Sequence, residues 1–246
     1  GGRDAGGRAV GFLGEYDALR GQGHGCAHHM QTPAMIGAAM ALRGVLESSD
    51  QPFEIHVIGT PSEESLDGGK NEMAAHGGFD HIDVAFMVHG STLTQLETPS
   101  LALIEMDVEF HGKTAHAGIA PYAGRSAVDA VTMLQTGLGL MRNHLKDSSR
   151  VSNIVLAGGT AVNSVPDFAK VKVEIRHSSM AYLESVEQWT REIAQAAAMA
   201  TQTQVQITPV AHIYNTTIND AMGALLMECA EKFACDGIAP PRKDCG

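Results

Sequence analysis

Between residues 24 and 29 the chain reads His24-Gly25-Cys26-Ala27-His28-His29, four imidazole or thiol groups within six residues. Thiolate and imidazole are donors that zinc and its neighbours accept, provided they converge from a loop and further ligands arrive from elsewhere. A second cluster, Thr60-Pro61-Ser62-Glu63-Glu64, sets two carboxylates side by side. Adjacent carboxylates at a strand end point in different directions, so one can bind metal while the other handles protons. A third candidate is His89, in Phe86-Met87-Val88-His89-Gly90. Taken singly, each has a plainer reading: a His-rich surface loop, a solvated acidic turn, a structural histidine. Taken jointly they gain weight, because each follows an apolar run and open α/β sheets gather ligands beyond the C-terminal ends of their strands.

The elements that must position these groups follow from pattern. RAVGFLG, residues 8–14, is a short apolar run bounded by glycines, which suits a buried strand. Residues 33–47 have helical length and small residues for close packing, with Pro33 expected in the first turn, where its missing N–H costs nothing. FEIHVIGT, residues 53–60, reads as a second strand, residues 69–76 as a short helix ended by Gly77-Gly78, and residues 84–88 as a third strand. This alternation predicts an α/β domain with a mostly parallel sheet.

The order then changes. Residues 103–111 alternate like a half-buried strand, residues 126–143 have helical periodicity, and 152–157 and 169–176 read as strands around the turn-rich GGTAVNSVPD. A long helix over 181–200 and a strand over 204–209 complete β-α-β-β-α-β, the split pattern of a ferredoxin-like sandwich. A helical stretch over 220–233 has nowhere to pack unless it returns to the first half. The expected architecture is therefore an α/β domain from residues 1–102 and 211–246, with an inserted α+β module over 103–210.

Composition removes several function classes. Twenty-eight acidic against 17 basic residues give a net charge of −11, which repels nucleic-acid phosphates and anionic membranes. No run approaches the roughly 20 apolar residues that span a bilayer. Four cysteines, Cys26, Cys229, Cys235 and Cys245, are too sparse for a disulfide framework and favour a reducing compartment, with the cytoplasm as the default. The chain opens on GGRDAGGR without Met and stops at Lys243-Asp244-Cys245-Gly246 without a closing element, so both ends are expected to be cut.

Gly14-Glu15-Tyr16-Asp17-Ala18-Leu19, followed by GHGCAHH, GTPSEE, GGK and FMVHG, resembles the aminoacylase and carboxypeptidase metallopeptidases, the M20 peptidase family. The likeness is greatest to the branch of aminobenzoyl-glutamate hydrolases and related dipeptidases. It continues through GKTAHAG, APYAGRSAVDA, GGTAVNSVPD and VEIRHSS. The resemblance implies that Cys26, His28, Glu64 and His89 are metal ligands for one or two divalent ions, zinc or manganese first and cobalt or nickel next. It implies that Glu63 is the general base acting on water, and that the inserted module forms a homodimer. Within that module it makes His116 the histidine that reaches a partner's site to stabilise the oxyanion, and Asn163 and Arg176 the groups that hold the substrate carboxylate and carbonyl. Read without the resemblance, Asn163 is a turn residue and Arg176 an ordinary strand-end ion pair. The implied substrate is a small amide: an N-acyl amino acid, an aminobenzoyl-glutamate-like compound or a dipeptide.

The sequence departs from the family pattern at three places. Ala27 stands where Gly is usual, His29 where Asn or Asp is usual, and Gly90 where Pro is common. The family's catalytic domain is also expected to begin before this N-terminus and to continue past this C-terminus, where a last histidine ligand belongs. Two rival readings are a thiol hydrolase with Cys26 as nucleophile and His28 as base, and a non-catalytic metal-binding or dimerising remnant.

Overall fold

The computed structural model describes residues 6–65, 68–91, 100–217 and 219–233. Cys235, Cys245 and the terminal residues 243–246 lie outside the described residues. Two compact units divide the chain, one over Gly1–Thr94 and the other over Gln95–Cys235.

The first unit holds β1 (Arg8–Glu15), α1 (His28–Leu46), β2 (Phe53–Thr60), α2 (Gly69–Ala75) and β3 (Val84–Phe86). The three strands form a sheet in the order β2-β1-β3, and both pairings are parallel. Phe12, Met35 and Ala39 make the buried centre, with Val10, Ile55, Leu42 and Phe86 packed on it, so α1 covers one face of the sheet. α1 begins at His28, five residues earlier than the periodicity suggests, and Pro33 lies inside it. The apolar periodicity starts late because the first turn is spent on polar contacts: His28 and Gln31 are buried, and the Thr32 hydroxyl donates to the Glu15 carbonyl at 2.5 Å. Proline removes one helical N–H there, a loss this long helix tolerates.

The second unit holds β4 (Ala102–His111), α3 (Ala127–Met141), β5 (Arg150–Ala157), β6 (Phe168–His177), α4 (Met180–Thr201), β7 (Gln204–Ile213) and α5 (Asp220–Lys232). Its sheet runs β5-β6-β4-β7 and is antiparallel throughout, which is the ferredoxin-like arrangement of β-α-β-β-α-β. Strand alternation explains the two faces. Ile104, Met106, Val108 and Phe110 of β4 join Val171, Val173 and Ile175 of β6 in a core with Leu134 and Leu138 of α3 and Leu183 of α4. The intervening residues carry a charged ladder, with Lys172 on Glu105 at 2.6 Å and Lys170 on Asp107 at 2.7 Å. Both long helices start on serine caps: Ser126 accepts from the Asp129 N–H and Ser179 from the Tyr182 N–H. α5 buries only Gly223 among its described residues.

Candidate metal centre

The three parallel strands end side by side, and the polar groups lie just past those ends. Glu15 is the last residue of β1 and pairs in register with Thr60, the last of β2. Asp17 follows β1, Glu63 and Glu64 follow β2, His89 follows β3, and His28 opens α1. Close packing holds the β2 side: a Cβ on Gly69 would lie 2.0 Å from the Pro61 carbonyl oxygen, so only glycine lets α2 start against that loop.

His28 is the hub. Its side chain is 1% exposed, and its Nδ1 lies 3.1 Å from both the Asp17 carboxylate and the Asp17 carbonyl oxygen. Both partners only accept, so Nδ1 carries a proton and Nε2 is the ring nitrogen turned toward the other carboxylates. Nε2 is 3.1 Å from Glu15 Oε2, 3.7 Å from Glu63 Oε2 and 3.9 Å from Glu64 Oε1. The His28 and His89 rings meet edge to face at 5.6 Å, and His89 Nδ1 donates to the Gly90 carbonyl, which frees its Nε2 as well. Asp17 also accepts the Glu64 N–H at 2.9 Å, so one carboxylate orients two of the expected ligands.

Donor atoms of Glu15, His28 and His89 fall within 4.8 Å of one another, and so do those of His28, Glu63 and Glu64. Cys26 belongs to neither group, although a hydrogen bond with the Glu64 side chain acts on its thiol. That bond, then burial, then the charges of Glu64, Glu63 and Glu15 push the Cys26 thiol up to about 11. Glu63 is raised as well, by burial first and then by Glu15 and Glu64. Burial pushes Asp17 up, but the Glu64 N–H, its own backbone and His28 outweigh it and leave Asp17 below its ordinary value. Lys70, paired with Glu15, supplies one positive charge against the carboxylates of Glu15, Asp17, Glu63 and Glu64.

The fit to a cation is tested by buried polar atoms. Glu15 Oε2, His28 Nε2 and Glu64 Oε1 are buried and make no hydrogen bond. Three buried polar atoms left without hydrogen bonds in one place, two of them carboxylate oxygens, are costly unless something positive sits among them. A divalent ion satisfies all three, and imidazole with carboxylates is a donor set such ions accept.

The other expected site residues lie in the second unit. His116 bridges to Ser164, and its Nδ1 accepts from the Gly118 N–H at 3.2 Å, which leaves Nε2–H as an exposed donor. Asn163 is beside it, its carbonyl accepting the Ala117 N–H at 2.9 Å. Arg176 is elsewhere: it pairs with Leu103 at the far end of β6, eight residues from Phe168, and donates to Glu174 at 2.8 and 3.2 Å. Eight strand residues span roughly 26 Å, so one copy of the module does not bring Arg176 to His116 and Asn163.

Sequence reasoning gives no role to Glu15, Asp17 or Lys70, although all three lie in the segments GEYDAL and GGK. The available signal was an acidic pair two residues apart at a strand end, the same kind that marks Glu63 and Glu64.

Residues 102–202 match the peptidase dimerisation domain of the M20 peptidases. Over 94% of its length the chain is 35% identical to an Xaa-Arg dipeptidase of Mus musculus, covering 54% of that protein. Over 87% it is 32% identical to a p-aminobenzoyl-glutamate hydrolase polypeptide of Escherichia coli, covering 49% of it. The chain belongs to the M20 peptidase family. It spans about half the length of the relatives it matches. An aminobenzoyl-glutamate utilization protein from Klebsiella pneumoniae, of known crystal structure, superposes with a TM-score of 0.71 at 27% identity, over 96% of this chain and 60% of that one.

Positions 27 and 90, in two different loops of this M20 chain, touch. Ala27 takes φ +64°, the left-handed region where glycine is usual, and a Cβ on Gly90 would lie 2.7 Å from the Ala27 Cβ. The extra methyl at 27 thus occupies the space a side chain at 90 would need.

Proposed function

We propose that this M20 chain carries the metal centre and dimer-forming module of an amidase that hydrolyses a dipeptide, N-acyl amino acid or aminobenzoyl-glutamate-like amide. The observation that carries the reading is the convergence of unsatisfied Glu15 Oε2, His28 Nε2 and Glu64 Oε1 beyond three parallel strand ends. The names of the two relatives support the substrate class. Cys26, His28, Glu64 and His89 would hold one or two divalent ions, zinc or manganese by donor type and cobalt or nickel as substitutes. The bound ion supplies Lewis-acid polarisation of the carbonyl and activation of water.

The chain's own groups do the rest. Glu63 stands 3.7 Å from His28 Nε2 and holds its proton more tightly than an ordinary carboxylate, which suits a base that takes a proton from water and returns it to the leaving nitrogen. His116 offers Nε2–H to the developing oxyanion, and Asn163 and Arg176 bind the carbonyl and carboxylate. Because Arg176 and the His116–Asn163 pair sit at opposite ends of β6, an isologous homodimer, in which each copy lends its own end, supports this division of roles. In the same proposal, residues from 211 onward belong with the metal-bearing domain of residues 1–102.

No helix among the described residues is long and apolar enough to cross a membrane. The exposed free thiol of Cys229 suits a reducing compartment such as the cytoplasm. The thiol-hydrolase reading is opposed by the surroundings of Cys26: a thiol near 11 is ionised in only about one molecule in 10,000 at neutral pH.

Glu63→Ala tests the assignment. Metal content, measured by elemental analysis, is expected to stay at the wild-type level, while turnover of a panel of N-acyl amino acids, aminobenzoyl-glutamate and dipeptides falls by roughly 10²-fold or more. Turnover undiminished in Glu63→Ala, or undiminished after chelation, overturns the mechanism.

A further inference from the structure

Glu15 is 2% exposed at the end of β1, and its two oxygens have different fates. Oε1 takes the Lys70 ammonium. Oε2 is buried without a hydrogen bond and faces His28 Nε2 at 3.1 Å, itself buried and without a hydrogen bond. Asp17 occupies Nδ1, so Nε2 is the ring atom turned toward Glu15. Both atoms are buried, and no described residue gives either of them a hydrogen bond. The same carboxylate lies within reach of His89, so Glu15, His28 and His89 form one donor group and His28, Glu63 and Glu64 another, with His28 common to both.

We infer that Glu15 is itself a ligand of the metal centre on the His89 side of His28, and that Lys70, by holding its other oxygen, restricts it to a single bond. This rests on the metal-centre reading proposed above and extends its ligand set. The arrangement has a chemical consequence. A carboxylate shared between an ammonium and a cation is a weaker donor than a free one, so Lys70 tunes how tightly that side of the centre holds its ion. It also explains why a lysine that is 30% exposed sets its head against a nearly inaccessible carboxylate, a pairing that costs desolvation and returns little stability alone.

The test uses cobalt(II) added to metal-free protein, read by its visible absorption and by isothermal titration. Wild type is expected to bind. Glu15→Gln keeps the shape, removes the charge, and is expected to weaken cobalt binding roughly 10-fold to 100-fold and to alter the absorption spectrum. Lys70→Gln, at a position 30% exposed, keeps a hydrogen-bond donor beside Glu15 and is expected to tighten binding about threefold or more with a spectral change of its own. If wild type binds cobalt and His28→Ala abolishes it, yet Glu15→Gln and Lys70→Gln both keep the wild-type affinity and spectrum, Glu15 is a structural partner of Lys70 and this inference alone falls. If wild type binds no cobalt, the metal-centre reading falls with it. Should Glu15→Gln fail to fold, the Lys70→Gln titration decides by the same criterion.

Discussion

The contact between Ala27 and Gly90 links the loop that carries Cys26 and His28 to the one that carries His89, and its strength can be worked out. Ala27 holds φ +64° and ψ +21°, a conformation that costs an L residue with a Cβ about 1–2 kcal/mol. Ala27→Gly removes that cost but returns about 0.5–1 kcal/mol of chain entropy to the unfolded state, so the variant should be more stable by about 0.5–1 kcal/mol. Gly90→Ala alone drives a methyl to 2.7 Å from the Ala27 Cβ, closer than carbon atoms approach, and overpacking of this kind costs about 1–3 kcal/mol. In the Ala27→Gly background the obstructing methyl is gone. The next atoms, the Cys26 carbonyl oxygen at 3.8 Å and the residue 27 Cα at 4.0 Å, are at ordinary contact, so Gly90→Ala should then be nearly neutral. The double-mutant cycle is therefore expected to give a coupling energy of about 1–3 kcal/mol. Urea unfolding of metal-free protein measures it without the stabilisation that ligand binding adds. Additivity within about 0.5 kcal/mol would refute the argument, because it would mean that the two loops do not meet through this methyl.

Two further variants test the scaffolding of each unit. Asp17→Ala removes the acceptor of both the His28 Nδ1–H and the Glu64 N–H, and titration with zinc or cobalt should find affinity lower by roughly 10-fold to 100-fold. Phe110→Ala, at a fully buried position in β4, should destabilise the four-stranded module by about 3–5 kcal/mol, read as a lowered urea midpoint of the transition that reports this unit.

Much of this protein was legible in its residue order. Period-two alternation in MDVEFH and VKVEIR placed β4 and β6, helical patterns starting at 126 and 181 placed the starts of α3 and α4 within one residue, and apolar runs located β1 and β2. These signals are local: a strand or helix reports itself through which of its own residues must avoid water. The candidate ligands Cys26, His28, Glu64 and His89 were singled out for a related reason, since each directly follows a local signal for a strand end or lies in the next loop.

What the sequence could not decide is how partners distant in the chain divide the atoms of one side chain. Thr32 folding back on Glu15 started α1 at His28, five residues before its apolar period begins. Asp17 fixing the proton on His28, Lys70 taking one oxygen of Glu15, and the Ala27 methyl filling the space beside Gly90 join residues 11 to 63 positions apart. Arg176 and Asn163 lie 13 residues apart in the chain, yet β6 carries them to opposite ends of a sheet. A residue's type sets which bonds it can make, but which of them it does make depends on the groups that the packed strands and loops bring within about 3 Å, and that proximity exists only in the folded chain.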